Sequence, residues 1–280
     1  MSHEQAQVEI TNEEYHKLSP VSHSSLECFR RSKRTYKATY IDKTLRKEQT
    51  PSMMLGSLVH SLILEPQAVG DRYSIAPKCD RRTTIGKQAW AAFLDEAYGR
   101  EVVDLDTWQQ AEMVSNAVLT NATAKLLLNV QCEIEKPMYW TCPKTAVACR
   151  CKPDFLSVFG MPYMIDIKTC QDATPSGFAS SAARYGYARQ AAWYQWGHEE
   201  NGMGKCSFIF VAVSTHEPHE VGIYQLSDRD IERSRIQNEI DLVELKSCME
   251  SGEWQALHER SVATLQLPKW VEYEDQYQTY

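Results

Sequence analysis

An α/β fold, with a mixed sheet core, flanking helices and a helical N-terminal elaboration, is predicted by three observations. Apolar residues recur at helical spacing up to about residue 130. From Gln131 to Thr169 the texture changes to short β-rich runs punctuated by proline and glycine. Helical and strand patterns then alternate to the end of the chain, so sheet and helices share one core. At 280 residues, with 43% hydrophobic and 10% aromatic content, the chain can bury such a core. It reads as one domain, 1–280, in three parts: a mainly helical part over 1–130, a sheet core over 131–226, and a helix with a tail over 227–280.

The elements follow in order. Ser22 to Tyr40, SHSSLECFRRSKRTYKATY, opens with serines able to cap a helix and carries Leu26, Phe29, Arg30 and Tyr36 at near-helical spacing, which predicts a basic amphipathic helix. Pro51 and Ser52 open a second, mostly apolar helix that stops near Pro66 and contains His60. Residues 67–86 read as a loop, and helices follow over about 87–99 and 105–129. CEIEKPMYWT, TAVACRCKPDFLSVF and PYMIDIKT give three strand candidates. Pro175 and Gly177 introduce a helical stretch, broken near Gly186, that runs through YARQAAWYQWGHEE. SFIFVAVST and HEVGIYQL return to strand, and DRDIERSRIQNEIDLVELKSCMES is a long amphipathic helix.

Charge is unevenly placed. The net charge of −7 argues against a simple cationic phosphate binder. Yet between Phe29 and Lys47 stand Arg30, Arg31, Lys33, Arg34, Lys37, Lys43, Arg46 and Lys47 against the single acid Asp42, and Lys78, Arg81, Arg82 and Lys87 form a second patch. Acid gathers at Glu4 to Glu14 and at Glu272 to Asp275. Nine cysteines without a C-x-x-C pair signal neither a disulfide framework nor a zinc finger. No apolar run reaches the roughly 18 residues of a membrane span, and MSHEQAQVEITNEEY has no signal-peptide pattern, so the expected location is the cytoplasm.

Chemistry concentrates in CKPDFLSVFGMPYMIDIKT. From Tyr163 to Lys168 the run alternates, with Tyr163, Ile165 and Ile167 on one side and Met164, Asp166 and Lys168 on the other. Asp154 precedes it across a short hairpin, which brings two carboxylates together. Two close carboxylates repel, and a divalent cation relieves that; oxygen ligands beside a lysine suit Mg²⁺ or Mn²⁺ rather than zinc. Such a site activates water and stabilises charge on a phosphoryl group.

P-D followed by D-x-K resembles the PD-(D/E)xK nuclease superfamily. Gln190-Ala-Ala-Trp-Tyr194 fits the Q-x-x-x-Y signature of its RecB-like branch, and Leu55-Gly-Ser-Leu-Val-His60 resembles that branch's upstream helix with a metal-binding histidine. The order of SHSSLECFRRS, LGSLVHSLILEP, CRCKPDFLS, IDIKT and LPKW at 267–270 resembles the RecE group of double-strand DNA exonucleases, relatives of the lambda alkaline exonuclease. The resemblance implies a restriction-endonuclease-like core in which His60, Asp154, Asp166 and the Ile167 carbonyl hold one or two Mg²⁺ ions, with Mn²⁺ as a substitute. It implies that Lys168 handles the attacking water, that Gln190 and Tyr194, four apart on one helix face, buttress the site or touch the DNA backbone, and that Glu135 is an outer acid. It further implies 5′ to 3′ digestion of linear duplex DNA to 5′-mononucleotides, a ring-shaped homo-oligomer (a trimer, or alternatively a tetramer) that threads DNA, and a single-strand annealing protein as partner. Serines at a helix N-terminus backed by arginines make a phosphate pocket, so Ser24, Ser25, Arg30 or Arg31 is expected to contact DNA, with Arg81 and Arg82 as further candidates. The alternatives are an endonuclease of the same superfamily, which would cut closed circles, and a catalytically idle DNA-binding or assembly protein.

Overall fold

In a computed structural model the described residues are 20–46, 48–158, 160–256, 262 and 264. Lys47, LPKW at 267–270 and both acidic ends lie outside them. Ser22 caps helix α1 (His23–Arg31), accepting the Ser25 N–H at 3.2 Å while Ser25 Oγ accepts the Ser22 N–H at 2.9 Å. The single helix expected over 22–40 is broken at Ser32. That residue is extended (φ −162°), ends α1, and caps the short α2 (Lys33–Tyr36) through Oγ. A π-helical turn, Lys37–Ile41, follows.

Helix α3 (Pro51–Leu64) starts as predicted, with Thr50 as cap and Pro51 in the first turn. The expected loop over 67–86 holds α4 (Val69–Arg72) and β1 (Tyr73–Ile75), which pairs in parallel with β2 (Glu101–Val103). Three residues are too few to show an alternation. Helix α5 (Thr84–Glu96) begins three residues early, and the long helix expected over 105–129 is two, α6 (Leu105–Thr120) and α7 (Ala122–Leu128), because Asn121 turns its side chain to the N–H groups of Thr123 and Ala124.

The two first strand candidates each split at a Lys-Pro pair. β3 (Cys132–Ile134) and β6 (Phe155–Ser157) pair antiparallel in the main sheet, while β4 (Met138–Thr141) and β5 (Ala148–Cys151) form a separate hairpin. Pro137 and Pro153 cannot donate to a ladder, and the chain changes sheets at each. The main sheet runs β3-β6-β7-β8-β9, with β7 (Tyr163–Cys170) and β8 (Ser207–Ser214) parallel over eight residue pairs and β9 (Val221–Tyr224) antiparallel at the edge. Helices α8 (Pro175–Tyr185) and α9 (Tyr187–Glu200) make the crossover, joined at Gly186, whose φ of +71° only glycine adopts without strain. Helix α10 (Asp228–Ser251) closes the described fold.

The sheet is buried on both faces. Ile165, Ile167, Ile209 and Val211 meet Leu58, Val59, Val114 and Val118 from α3 and α6. Met164, Phe208 and Phe210 meet Trp193 of α9, Leu242 of α10 and Phe29 of α1 on the other side. Among the described residues no helix is long and apolar enough to cross a membrane. Cys149 and Cys151 lie in the second core as small buried hydrophobes, with burial pushing the thiol pKa values upward.

Candidate active site

The site grows from an interrupted sheet edge. β6 pairs with β7 only at Leu156↔Met164 and Phe155↔Ile165. Pro153 ends the ladder there, and one further step in that register sets Asp154 opposite Asp166. Beyond this point the β7 backbone turns its N–H and C=O of Ile167 toward the side that β6 has left. Side chains take both groups. Asp154 Oδ2 accepts the Ile167 N–H at 3.0 Å, and His60 Nε2 lies 2.6 Å from the Ile167 carbonyl oxygen. His60 Nδ1 stands 3.3 Å from Asp154 Oδ2. Thus α3, the turn before β6, and β7 meet on the backbone of one residue.

The opposite face of β7 supplies the rest. Asp166 is 2% exposed, and Gln190 Nε2 donates to its Oδ1 at 2.8 Å. Lys168 Nζ pairs with Asp166 Oδ2 at 2.5 Å, and among the described residues no other polar group reaches that buried oxygen. Burial pushes the Asp166 carboxyl above the ordinary range; Asp154 adds to this and Lys168 opposes it. Burial pulls Lys168 down, but Asp166 and Asp154 outweigh it and hold the ammonium above its ordinary value. The Tyr187 ring, 5.0 Å from Lys168 Nζ, offers its π face to the same cation.

A divalent metal fits this donor set. The buried Asp166 Oδ2, the Asp154 carboxylate, the Ile167 carbonyl and an imidazole are hard or borderline donors of the kind Mg²⁺ and Mn²⁺ accept. Among the described residues no three His, Cys, Asp or Glu side chains are drawn together as a ready cage, so such a set would have to draw on the backbone carbonyl.

Other predicted residues fall in different places. Tyr194, one turn beyond Gln190, packs edge-on to Phe208 with centroids 5.7 Å apart. Glu135 lies just past β3 rather than on it, in a left-handed conformation (φ 47°), and pairs with Lys152 at 2.6 Å; its N–H donates to the Asp154 carbonyl. It therefore braces the Asp154 backbone. Ser25 is corrected: it is 4% exposed and its hydroxyl is used within the cap of α1, so it is closed to DNA. Ser24 and Arg31 do line a cavity of about 530 Å³ that also reaches Lys168, Gln190 and Tyr194. Glu27 binds both Arg30 (2.6 Å) and Arg31 (3.1 Å), and Arg30 is outside the lining. Arg81 lies over Trp90 and Arg82 pairs with Asp80; neither lines the cavity.

Tyr187 and His23 were not singled out as site residues by the sequence. Tyr187 stands three residues before Gln190 on the same helix face, a spacing that marks it. His23 had no comparable signal; the fold alone brings it to the cavity.

A central mixed sheet with one acid in the turn before β6 and an acid and a lysine on the adjoining β7, met by a helical histidine and a helical glutamine, defines a PD-(D/E)xK-type domain. Residues 22–261 match the family described as "PDDEXK-like domain of unknown function (DUF3799)", and the chain belongs to that family. A solved structure from Eubacterium rectale, provisionally described as an exonuclease, is similar over 95% of this chain and 98% of its own, at 14% identity and a TM-score of 0.64, which shows a shared fold. A second, SSO0001, aligns over 47% of this chain and 66% of its own at 14% identity and a TM-score of 0.28, and carries no argument. No curated protein sequence matches.

Proposed function

We propose that this protein is a metal-dependent exodeoxyribonuclease acting on the ends of linear duplex DNA. The observation that carries the reading is the cavity lined by Lys168 together with Ser24 and Arg31 of α1: two cations and a hydroxyl beside a phosphodiester-cleaving constellation suit the terminal phosphate of a strand. The fold shared with the E. rectale protein, described as an exonuclease, supports it.

Each residue then has a role. His60, Asp154, Asp166 and the Ile167 carbonyl would hold Mg²⁺, with Mn²⁺ able to replace it, and the metal would supply an activated water and neutralise charge on the phosphoryl group. Gln190 fixes one oxygen of Asp166 and thereby the orientation of the carboxylate. Lys168, held as an ammonium by two carboxylates, donates to the attacking water or to a phosphate oxygen. Ser24 and Arg31 receive the terminal phosphate. Digestion runs 5′ to 3′, releases 5′-mononucleotides and leaves a 3′ tail for a single-strand annealing protein. A ring of three subunits, or four, places basic surface inward and so reconciles the net charge of −7 with a DNA substrate. A monomeric mass in light scattering overturns the ring.

The test is a linear duplex labelled at either end, with closed circular duplex alongside, incubated with Mg²⁺ and wild type or Lys168→Ala. Early release of the 5′ label from linear DNA alone, lost in the variant, is expected. A nicked circle makes the protein an endonuclease, and untouched DNA of both kinds removes the enzymatic reading.

A further inference from the structure

Helix α9 carries Gln190, the donor that orients Asp166, yet its own start is weakly fixed. It opens directly after Gly186 with no side-chain cap. Its first turn is packed through Tyr187 against Phe178 and Phe210 and is hydrogen-bonded from α10. Asn238 Nδ2 donates to the Arg189 carbonyl at 2.9 Å, and Arg189 Nε donates back to Asn238 Oδ1 at 3.1 Å. The Arg189 guanidinium also pairs with Asp241. Both ends of one residue, backbone and side chain, are thus gripped by a single asparagine that is 0% exposed.

We propose that Arg189, clamped by Asn238 and Asp241, is a positioning residue that sets Gln190 against Asp166 and so orders the metal-binding carboxylate. Net stability is a poor reason for the clamp. Its ion pair is largely buried, with side chains 14% and 12% exposed, and such pairs are generally no more stabilising than apolar residues of similar size, whereas they do impose one geometry. The neighbouring position carries the consequence: a rotation of the first turn of α9 that releases Arg189 withdraws the Gln190 amide from Asp166 Oδ1. The carboxylate would then be free to turn its second oxygen, the one paired with Lys168, away from Asp154 and the Ile167 carbonyl.

This rests on the metal-site part of the proposed function, and its test reads metal binding directly. Mn²⁺ is titrated calorimetrically into the full chain without DNA, using wild type, Asn238→Ala, Gln190→Ala and the double variant. Each single change is expected to weaken Mn²⁺ by about tenfold, the lower end for residues that orient a ligand. The double variant should bind no more weakly than Gln190→Ala, because the clamp acts through that side chain. Losses that multiply in the double variant, or wild-type affinity in folded Asn238→Ala, overturn the proposal. Should Asn238→Ala not fold, Arg189→Lys, which keeps the charge but loses the fork, replaces it with the same expectation. Wild type that binds no Mn²⁺ also overturns it. Coupled Mn²⁺ binding by a protein that leaves all DNA intact supports the clamp and refutes the nuclease.

Discussion

Replacing His23 by glutamine should remove a pH dependence of folding that the position of α1 builds in. The His23 Nε2 is closed to solvent and has no hydrogen-bond partner among the described residues. Burial first, then Lys168, Arg189 and Arg30, push its pKa from 6.5 down to about 3, with Glu27 opposing. Between these values the unfolded chain binds a proton that the folded chain refuses, so stability is lost as pH falls through the window from about 6.5 to about 3. From pH 7 to pH 5 the loss comes to about 2 kcal/mol, and it changes little for any folded value below about 4. Urea unfolding followed by tryptophan fluorescence at both pH values, in wild type and His23→Gln, isolates this contribution, since other titrating groups act alike in both. The variant should lose about 2 kcal/mol less than wild type over that interval. Equal losses would refute the argument by showing that the imidazole protonates freely in the folded chain.

Three more outcomes are expected. Gly197→Ala would put a Cβ 2.8 Å from both Cys151 Sγ and Trp140 Cζ3, where α9 lies on the β4–β5 hairpin, and should cost about 1–3 kcal/mol in chemical denaturation. Arg31→Ala should weaken DNA binding and lower the slope of log affinity against log salt by about 1, while Arg30→Ala, whose residue is outside the cavity, should leave that slope unchanged in filter binding. Chelation should abolish cleavage of linear duplex, Mn²⁺ should restore it, and Lys168→Ala should reduce the rate by at least about 100-fold under either metal in a single-turnover assay.

How far the sequence speaks depends on the length of the pattern each feature needs. Eight residues of β7 suffice for an alternation, so the sharing of one face by Asp166 and Lys168 is legible in the residue order alone. The nearness of Asp154 to Asp166 follows from the short connection between β6 and β7. Three-residue strands such as β1 and β2 carry no such pattern, and their pairing is decided by packing across distant segments. The split of β3 from β4 and of β5 from β6 was available in principle, since Pro137 and Pro153 each follow a lysine within an apparent strand. Ser32 and Asn121 show a different limit: each caps a new helix while ending another, a competition that the surrounding apolar periodicity conceals. The clamp on Arg189 was out of reach, because its partners stand 49 and 52 positions away.

The interrupted edge of β7 also bears on how the chain avoids its own kind. An open stretch of strand is a template on which another chain can add itself, and proteins shield such stretches with bulges, charge or cover. Here the shield is made by side chains: the Ile167 N–H and carbonyl are occupied by Asp154 and His60, a carboxylate and an imidazole planted where an incoming strand would have to bond. The two residues proposed to receive a cation thus also keep the sheet from growing at that edge, so the proposed chemistry and colloidal safety are written on the same two side chains.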